Sequence, residues 1–434
     1  HLDMARDLYD SDSIFREVFD RCSELLLAHL GCDLREMVFL AATDSTESAT
    51  ERLNQTSVAQ AALFTVSYAL AKRLQADGVV PSRMIGHSVG EFVAACLAGV
   101  FSLEESLRLI AFRAMHMQQM PTGSMLAVRM TEAETLEELP NELSLAAING
   151  PQLCVVSGPT SAVEQWQQKL EAAEVISRRL HTSHAFHSAM MDPVVEPFAE
   201  QLRGVALQTP QIPIVSTVTG QPLTDAQAVD PNYWARHLRE TVRFTDALAA
   251  ITTDSDAVLL EVGPGQTLST LARQHPGRNG EQSVLATLPH AKQSSSAREH
   301  LLLALGRLWQ AGVDVDWKSR FGDQHHRRRL HLPVYPFERL RYWLEPERES
   351  EVGGDEVDDQ YAVSGPVPTS LNAPTEPLPE RTRPAVAESA GCVAEEKIGG
   401  GPPSYLEAEW DELTRRVIQQ QLQLMQQQLQ AWRS

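Results

Sequence analysis

A serine lies between two glycines in the stretch Gly86-His87-Ser88-Val89-Gly90. An apolar approach precedes this stretch and a helix-forming run follows it, which predicts a strand, a sharp turn and a helix. Glycine tolerates the tight turn that would hold Ser88 in a strained conformation with its hydroxyl exposed. The helix dipole and the free N–H of Val89 favour negative charge there. The pattern therefore predicts a nucleophile elbow suited to acyl transfer.

A serine nucleophile needs a base, and histidines occur downstream in the stretch Ser183-His-Ala-Phe-His-Ser188. His187 is the candidate base, with His184 and His181 as competitors. Arg113 lies 25 residues beyond the serine, on a segment whose other face is apolar. The pattern allows two interpretations of Arg113: a surface arginine like Arg108, or a buried guanidinium that binds a carboxylate.

Further motifs accompany the elbow in a fixed order. Together the set resembles the malonyl-type acyltransferase domains of modular (type I) polyketide synthases over residues 1 to about 345. The resemblance implies malonyl-CoA as donor and the phosphopantetheine thiol of an acyl carrier protein as acceptor, with no bound cofactor or metal. It also implies a ketosynthase and other synthase domains as partners in the native polypeptide. The motifs are Gln60-Ala-Ala-Leu-Phe64, Asn149-Gly-Pro151, Val155-Val-Ser-Gly158, Glu261-Val-Gly-Pro-Gly265 and Leu332-Pro-Val-Tyr-Pro-Phe337.

The resemblance also implies a role for each candidate residue. Ser88 is the nucleophile, His187 is its base, and the Val89 N–H is one oxyanion donor. Arg113 binds the free carboxylate of the malonyl group through two parallel hydrogen bonds, a geometry that lysine lacks. Gln60 lies either near the active site or on a solvent-facing side of its helix. The remaining implied contacts are with the acyl group at His87, His184 and Phe186, and a base-orienting backbone carbonyl in the region Val242-Arg243.

The sequence His184-Ala-Phe-His187 bears on the choice of acyl group. In the family that the chain resembles, malonyl-loading domains carry this form, whereas methylmalonyl-loading domains carry Tyr-Ala-Ser-His. The latter also more often have glutamine after the nucleophile, where this chain has Val89. A phenylalanine at position 186 would fill the space that a C2 methyl group needs, so we expect malonyl to be preferred.

In the same family, a strand that ends in a Gly-Gln-Gly-Ser-Gln turn comes immediately before a segment like His1-Leu-Asp-Met4. The printed sequence opens at that segment, and residues 1–36 show helical spacing with no strand ahead of them. The glutamine of that turn lends a second N–H to the oxyanion hole. We therefore expect a fragment that lacks the preceding ketosynthase and the first strand of the acyltransferase.

The elements that must position these residues alternate between strands and helices. This order predicts an α/β fold: a large hydrolase-like parallel-sheet domain with an inserted small ferredoxin-like (split βαβ) subdomain. A disordered linker and an amphipathic helix are expected to follow. The narrow apolar seam of this helix would pair with a second copy, as a homodimer, or with a helix of a neighbouring subunit. The predicted boundaries are 1–123 and 185–295 for the large subdomain, 124–184 for the small one, 296–345 for a closing helix and linker, 346–403 for the disordered linker and 404–434 for the association helix.

Composition excludes several classes of protein. A net charge of −20 argues against a nucleic-acid partner, because phosphate binding needs clustered Lys and Arg. Five cysteines without a C-x-x-C pair indicate neither a disulfide framework nor a zinc site. No apolar run approaches the ~20 residues of a membrane span, so we expect no membrane partner and a cytoplasmic location.

Two rival functions stay open from the sequence. An α/β-hydrolase-type serine esterase or thioesterase shares the elbow, but it needs an Asp or Glu between serine and histidine and commonly an HGG-type turn upstream. The sequence contains no such turn before Ser88. A catalytically weak scaffold fragment is the second rival, and the Gln-rich C-terminal segment is what favours it.

Overall fold

The structure, a computed structural model, describes most of the first 322 residues: 1–40, 45–254, 256–291, 293 and 295–322. The predicted linker 346–403 and association helix 404–434 lie outside the described residues, as does the predicted linker from residue 323 onward. Of the helices within the described ranges, none is long and apolar enough to cross a membrane. The domain boundaries given above stay predictions.

Helices make up most of the described chain. They are α1 (Arg6–Ser11), α2 (Ser13–Leu30), α3 (Leu34–Val38), α4 (Thr46–Asn54), α5 (Thr56–Ala76), α6 (Val89–Leu97), α7 (Leu103–Gln118), α8 (Glu132–Glu138), α9 (Thr160–Ala172), α10 (Asp192–Arg203), α11 (Asp225–Ala228), α12 (Pro231–Arg236), α13 (Phe244–Thr252), α14 (Thr267–Gln274), α15 (Ala297–Gln310) and α16 (Trp317–Phe321). A 3-10 helix spans Ala189–Met191.

The strands form parallel pairs and one antiparallel sheet. They are β1 (Met84–Ile85), β2 (Ser124–Val128), β3 (Ser144–Gly150), β4 (Leu153–Gly158), β5 (Ser177–Arg179), β6 (Ile214–Val215), β7 (Leu259–Glu261) and β8 (Val284–Ala286). β1 pairs with β6 and β7 with β8, both in parallel. The antiparallel sheet has the order β3-β4-β2-β5.

The elements β2, α8, β3, β4, α9 and β5 follow one another as two split βαβ units, which confirms the predicted ferredoxin-like insertion. Alternation along the strands gives the sheet two apolar faces. One face, with Leu126, packs against Trp166 of α9. The other face, with Met125, packs against Phe244 of α13. The insertion therefore lies directly against the elements that follow it in the chain.

Helix α5 runs through the main core. Apolar residues at helical spacing predict a helix over 57–76 with a single apolar stripe, formed by Val58, Ala62, Leu63, Val66, Leu70 and Leu74. The structure instead buries residues on every side of the helix, including Ala61, Phe64 and Ala69. Only Leu63 of the predicted stripe is exposed, at 39%. Small side chains at 61 and 69 leave room for neighbours, and α2, α6 and α7 all pack against α5. The single-face prediction was wrong because it overlooked those alanine positions.

Four charged side chains form a buried cluster where α16 meets α2 and α5. Asp77 is fully buried, and Arg73 and Arg320 are 4% and 6% exposed. Arg320 donates to Asp77 at 2.9 Å, and Asp12 lies 3.2 Å from Arg73. The Asp316 N–H also donates to the Asp77 carbonyl at 2.7 Å. The cluster ties α16 to the end of α5.

Asp77→Asn should destabilise the folded chain by about 3 kcal/mol, because it leaves two buried guanidinium groups with a single carboxylate. The measurement is the midpoint of urea unfolding. Glu138→Gln is the matched control, because the ion pair of Glu138 with Lys169 is exposed and contributes about 1 kcal/mol or less. Equal shifts of the midpoint in the two variants would show that the buried cluster stabilises the fold no more than an exposed ion pair does.

Candidate active site

The turn between β1 and α6 holds Ser88 in a strained backbone conformation. Ser88 has φ 50° and ψ −116° and caps α6. A Cβ at Gly86 would lie 2.1 Å from the Glu91 nitrogen, so only glycine fits there. A Cβ at Gly90 would meet nothing within 4 Å outside its own helix. The elbow is thus formed as predicted, and close packing requires the first of its two glycines.

His187 makes the hydrogen bonds expected of a base for Ser88. Its Nε2 lies 2.9 Å from Ser88 Oγ, and its Nδ1 lies 2.8 Å from the backbone carbonyl of Glu240. A proton on Nδ1 that is donated to this carbonyl leaves the Nε2 lone pair free to accept the hydroxyl proton. Of the competing histidines, His181 is exposed and His184 bonds elsewhere. The geometry therefore selects His187.

The base-orienting carbonyl belongs to Glu240, whereas the sequence resemblance implies a carbonyl in the region Val242-Arg243. That placement was wrong because the Val242 carbonyl already accepts the Ile148 N–H at 2.9 Å. The Val242 N–H in turn donates to Ala146. Val242 is therefore committed to a bridge with β3, and the carbonyl two residues earlier remains available for the base.

Burial lowers the pKa of His187 well below 6.5, and the positive charge of Arg113 and the neighbouring His237 lower it further. The Glu240 carbonyl opposes this shift by holding the Nδ1 proton. Because an imidazole can accept a proton only when it is neutral, a lowered pKa keeps His187 competent as a base at neutral pH. The shift thus suits a base that is buried beside a cation.

Arg113 is 2% exposed and lies beside the nucleophile, with Nη2 3.3 Å from Ser88 Oγ. Its Nη1 donates to Gln60 Oε1, and its Nε has no hydrogen-bond partner. No acidic side chain in the described part of the chain forms an ion pair with it. Burial lowers its pKa to about 10, so the group still carries its charge at neutral pH. Of the two interpretations of Arg113, the structure therefore supports the buried guanidinium.

Gln60 faces inward, which decides between its two interpretations. It is 9% exposed and accepts from Arg113, while its Nε2 lies 3.6 Å from the Met117 sulfur. An amide oxygen can orient a guanidinium without neutralising its charge. Gln60 therefore positions Arg113 and leaves its charge unpaired.

The other predicted residues surround this centre. His87 bonds the Asn149 side chain through Nε2 at 2.9 Å, and burial lowers its pKa. His184 is 2% exposed, with Nδ1 2.7 Å from Ser183 Oγ. The Phe186 ring lies 6.2 Å from the His184 ring. Val89 is the first residue of α6, where an N–H has no acceptor within the helix. Their contacts with an acyl group stay predictions.

Sequence reasoning missed two parts of this region. The first is Asn149 of the motif Asn149-Gly-Pro151, whose side chain bonds His87. The second is Glu91, a carboxylate in an otherwise apolar first turn of α6, fully buried and bonded to Thr217 and Tyr233. A charged residue in an apolar run was the signal available for Glu91.

A cavity of about 770 Å³ lies between the antiparallel sheet and α14. Its lining includes Asn149, which bonds His87 beside the nucleophile, together with Ala127 and Leu271. Two exposed arginines, Arg129 and Arg178, also line it. The cavity therefore combines apolar walls with two basic side chains, and Asn149 links its lining to His87 of the elbow.

Comparison with known proteins gives consistent matches. Residues 3–315 match the family model described as acyl transferase domain. A phenolphthiocerol/phthiocerol polyketide synthase of Mycobacterium tuberculosis is 39% identical over 346 residues, which are 80% of this chain and 23% of that protein. The chain thus spans about a quarter of the length of this curated relative.

Two solved structures are similar over most of the described chain. The acyl transferase domain of ZmaA has a TM-score of 0.70 and 34% identity, with 77% of each chain covered. The acyl transferase domain of SpnD, in complex with 2-(pent-4-yn-1-yl)malonyl, has a TM-score of 0.67 and 40% identity. That match covers 72% of this chain and 74% of the SpnD chain. Both matches show that this chain has the fold of these acyl transferase domains.

The lowered pKa of His187 predicts how the reactivity of Ser88 depends on pH. A fluorophosphonate, which labels activated serines regardless of substrate, should label Ser88 at a constant rate from neutral pH to below pH 6.5. The rate should fall only where His187 becomes protonated. Labelling is measured by intact-protein mass, and Ser88→Ala gives the unlabelled control. A midpoint above pH 6.5 would contradict the assigned environment of the base.

Proposed function

Because the chain belongs to the acyl transferase domain family, we propose that it loads a malonyl unit from malonyl-CoA onto Ser88. The unit then passes to the phosphopantetheine thiol of an acyl carrier protein. The observation that carries this proposal is the unpaired buried guanidinium of Arg113, 3.3 Å from the nucleophile. The polyketide synthases among its relatives support a role for this reaction in polyketide, or related fatty acid, biosynthesis.

A buried cation without an anionic partner is costly, because removal from water penalises the charge and neutral neighbours offset only part of this penalty. An anionic ligand that binds at Arg113 removes this penalty. The ligand must also present an acyl carbonyl to Ser88, so its carboxylate and thioester have to be close together in one small molecule. A malonyl thioester has this arrangement, since one methylene carbon separates its two carbonyl groups.

In the first half of the proposed reaction, Ser88 Oγ attacks the thioester carbonyl while His187 Nε2 accepts its proton. The Val89 N–H donates to the oxyanion. The intermediate collapses to a serine ester, and the CoA sulfur leaves with the proton from His187. In the second half, His187 accepts the proton of the carrier thiol, and the thiolate attacks the ester carbonyl. The bond to Ser88 Oγ then breaks, and Oγ takes the proton back from His187, which leaves a carrier thioester and free Ser88.

Two further observations support the proposal. The SpnD domain, 40% identical, was solved in complex with a substituted malonyl group. The cavity beside Asn149 has apolar walls for a pantetheine arm, and Arg129 and Arg178 at its rim suit the phosphates of CoA or an acidic carrier protein. The same proposal includes the carrier protein and the ketosynthase as partners, a homodimer through the predicted helix 404–434, and a cytoplasmic location.

The proposed reaction is favoured over the esterase alternative by the group that orients the base. A hydrolase of that class uses an Asp or Glu side chain, whereas Nδ1 of His187 bonds the backbone carbonyl of Glu240. The scaffold alternative is disfavoured by the hydrogen bond between Ser88 and His187, because a scaffold has no need of it. Both alternatives remain outcomes of the experiments below.

Arg113→Ala should reduce the preference for malonyl-CoA over acetyl-CoA about 100-fold, because two hydrogen bonds to a charged carboxylate are lost at about 1.5 kcal/mol each. The measurement is the rate of Ser88 acylation with each donor, read by intact-protein mass. Arg108→Ala is the matched control, because Arg108 lies on the same helix and bonds Gln201 instead. An unchanged preference in Arg113→Ala would refute the carboxylate-binding role.

Phe186→Ser, alone or with His184→Tyr, should relax the preference for malonyl over methylmalonyl donors. A methyl group in an apolar pocket is worth ~1–3 kcal/mol, so the parent should discriminate about 10- to 200-fold. The two CoA donors are mixed and allowed to compete for Ser88, and the acylated species are counted by mass. A parent chain that takes methylmalonyl as readily as malonyl would overturn the assignment of the acyl group.

A further inference from the structure

Behind the elbow lies a buried polar cluster that the proposed reaction does not use. Its centre is Glu91, three residues after the nucleophile and fully buried. Around it lie Thr217, which follows β6, Tyr233 of α12, and His237 in the turn after α12. These three residues are 1%, 3% and 1% exposed. A carboxylate held this far from water needs a structural reason.

The Glu91 carboxylate is fully satisfied by its neighbours. Oε2 accepts the Thr217 N–H at 2.8 Å and lies 2.5 Å from the Thr217 hydroxyl. Oε1 accepts the Tyr233 hydroxyl at 2.6 Å, and His237 Nε2 lies 3.3 Å from Oε2. Burial alone would raise the pKa of Glu91, but His237 and the hydrogen bonds from Thr217 and Tyr233 hold it below the ordinary value. The group is therefore a charged anchor.

Two of these partners belong to the segment that orients the base. Tyr233, His237 and Glu240 are spaced i, i+4 and i+7, and helical hydrogen bonds continue past α12, from His237 N to Tyr233 O and from Glu240 N to Arg236 O. At this spacing the three residues lie on one face. Two of their side chains meet Glu91, and the Glu240 carbonyl meets His187 Nδ1 at 2.8 Å.

Thr217 makes the same connection by a second route. Its carbonyl accepts the Arg243 N–H at 2.6 Å, three residues after Glu240. Its hydroxyl lies 3.1 Å from the Gly86 carbonyl, in the elbow itself. Glu91 is thus joined to both ends of the 233–243 segment and to the turn that carries the nucleophile.

We propose that Glu91 is a positioning residue: it fixes the segment that orients His187 against the helix that carries Ser88. In this role it sets the 2.9 Å contact between Ser88 Oγ and His187 Nε2 without touching the substrate. This role depends on the proposed function only in the identity of the acyl group that Ser88 takes. The charged and titratable groups that face His187 are Arg113 from α7, His237 after α12 and His87 from the elbow.

The test measures Ser88 labelling by a fluorophosphonate, which does not depend on malonyl recognition. Glu91→Gln should slow labelling about 10- to 100-fold, the cost of a misplacement on the order of 1 Å between reacting groups. Tyr233→Phe keeps the charge of Glu91 and removes one tether, so it should slow labelling about threefold or more. Proton NMR adds a structural readout. The Nδ1–H resonance of His187, which is assigned by its loss in His187→Gln, should weaken in Glu91→Gln because this proton then exchanges with water.

Asp77→Asn is the matched control, because it also removes a fully buried carboxylate, in the cluster at α16. It should lower stability yet leave labelling within about twofold of the parent and the Nδ1–H resonance intact. If Glu91→Gln labels at the parent rate, or if Asp77→Asn slows labelling equally, the positioning role is overturned. Should Glu91→Gln fail to fold, Tyr233→Phe decides, and an unchanged rate there overturns the role.

The two proposals fail separately. A chain in which Glu91→Gln slows fluorophosphonate labelling, but whose parent takes no acyl group from malonyl-CoA, supports the positioning role and refutes the proposed substrate. A parent that loads malonyl from malonyl-CoA, with no effect of Glu91→Gln on labelling, refutes the positioning role alone.

Discussion

The charge of Arg113 is the constraint on which the architecture of the site depends. A guanidinium removed from water needs either a counter-ion or a precise set of acceptors. The described residues supply Gln60, the Ser88 hydroxyl and the face of the Phe92 ring, 6.0 Å away, all of which are neutral. The site therefore carries a positive field that an arriving anion neutralises. That field also disfavours a second cation nearby, and so keeps the base neutral.

Elements that are distant in sequence must pack together to place the guanidinium, the Ser88 hydroxyl and the base next to one another. Helix α5 supplies the amide that orients the guanidinium, and α7 supplies the guanidinium itself. The β1–α6 turn supplies the hydroxyl, and the segment after α12 supplies the carbonyl behind the base. One chain of hydrogen bonds thus runs from Gln60 to Glu240. Gln60, Arg113 and His187 are buried, whereas Ser88 is half-buried and Glu240 is exposed. Core packing therefore sets the positions of the guanidinium and the base.

The sequence revealed the parts of the site that have side-chain signatures. Ser88 stood out through its glycines, and His187 and Arg113 through motifs at fixed spacing. The ferredoxin-like insertion was also predictable, because short apolar strands alternate with helices in a defined order. The carbonyl of Glu240 was not, since every residue has a carbonyl and only packing decides which one is free. The all-round burial of α5 and the charge cluster at Asp77 were missed for the same reason: their partners are distant in sequence.

The backbone at the two reacting residues limits which amino acids can serve there. Ser88 has φ 50° and His187 has φ 55°, both in the left-handed region. This region costs more free energy for side chains that branch at Cβ. Threonine would therefore be less stable in the turn than serine or cysteine. The backbone of this turn therefore favours an unbranched side chain at position 88. Sterics thus limit the shape of the attacking side chain, and chemistry decides between the oxygen of serine and the sulfur of cysteine.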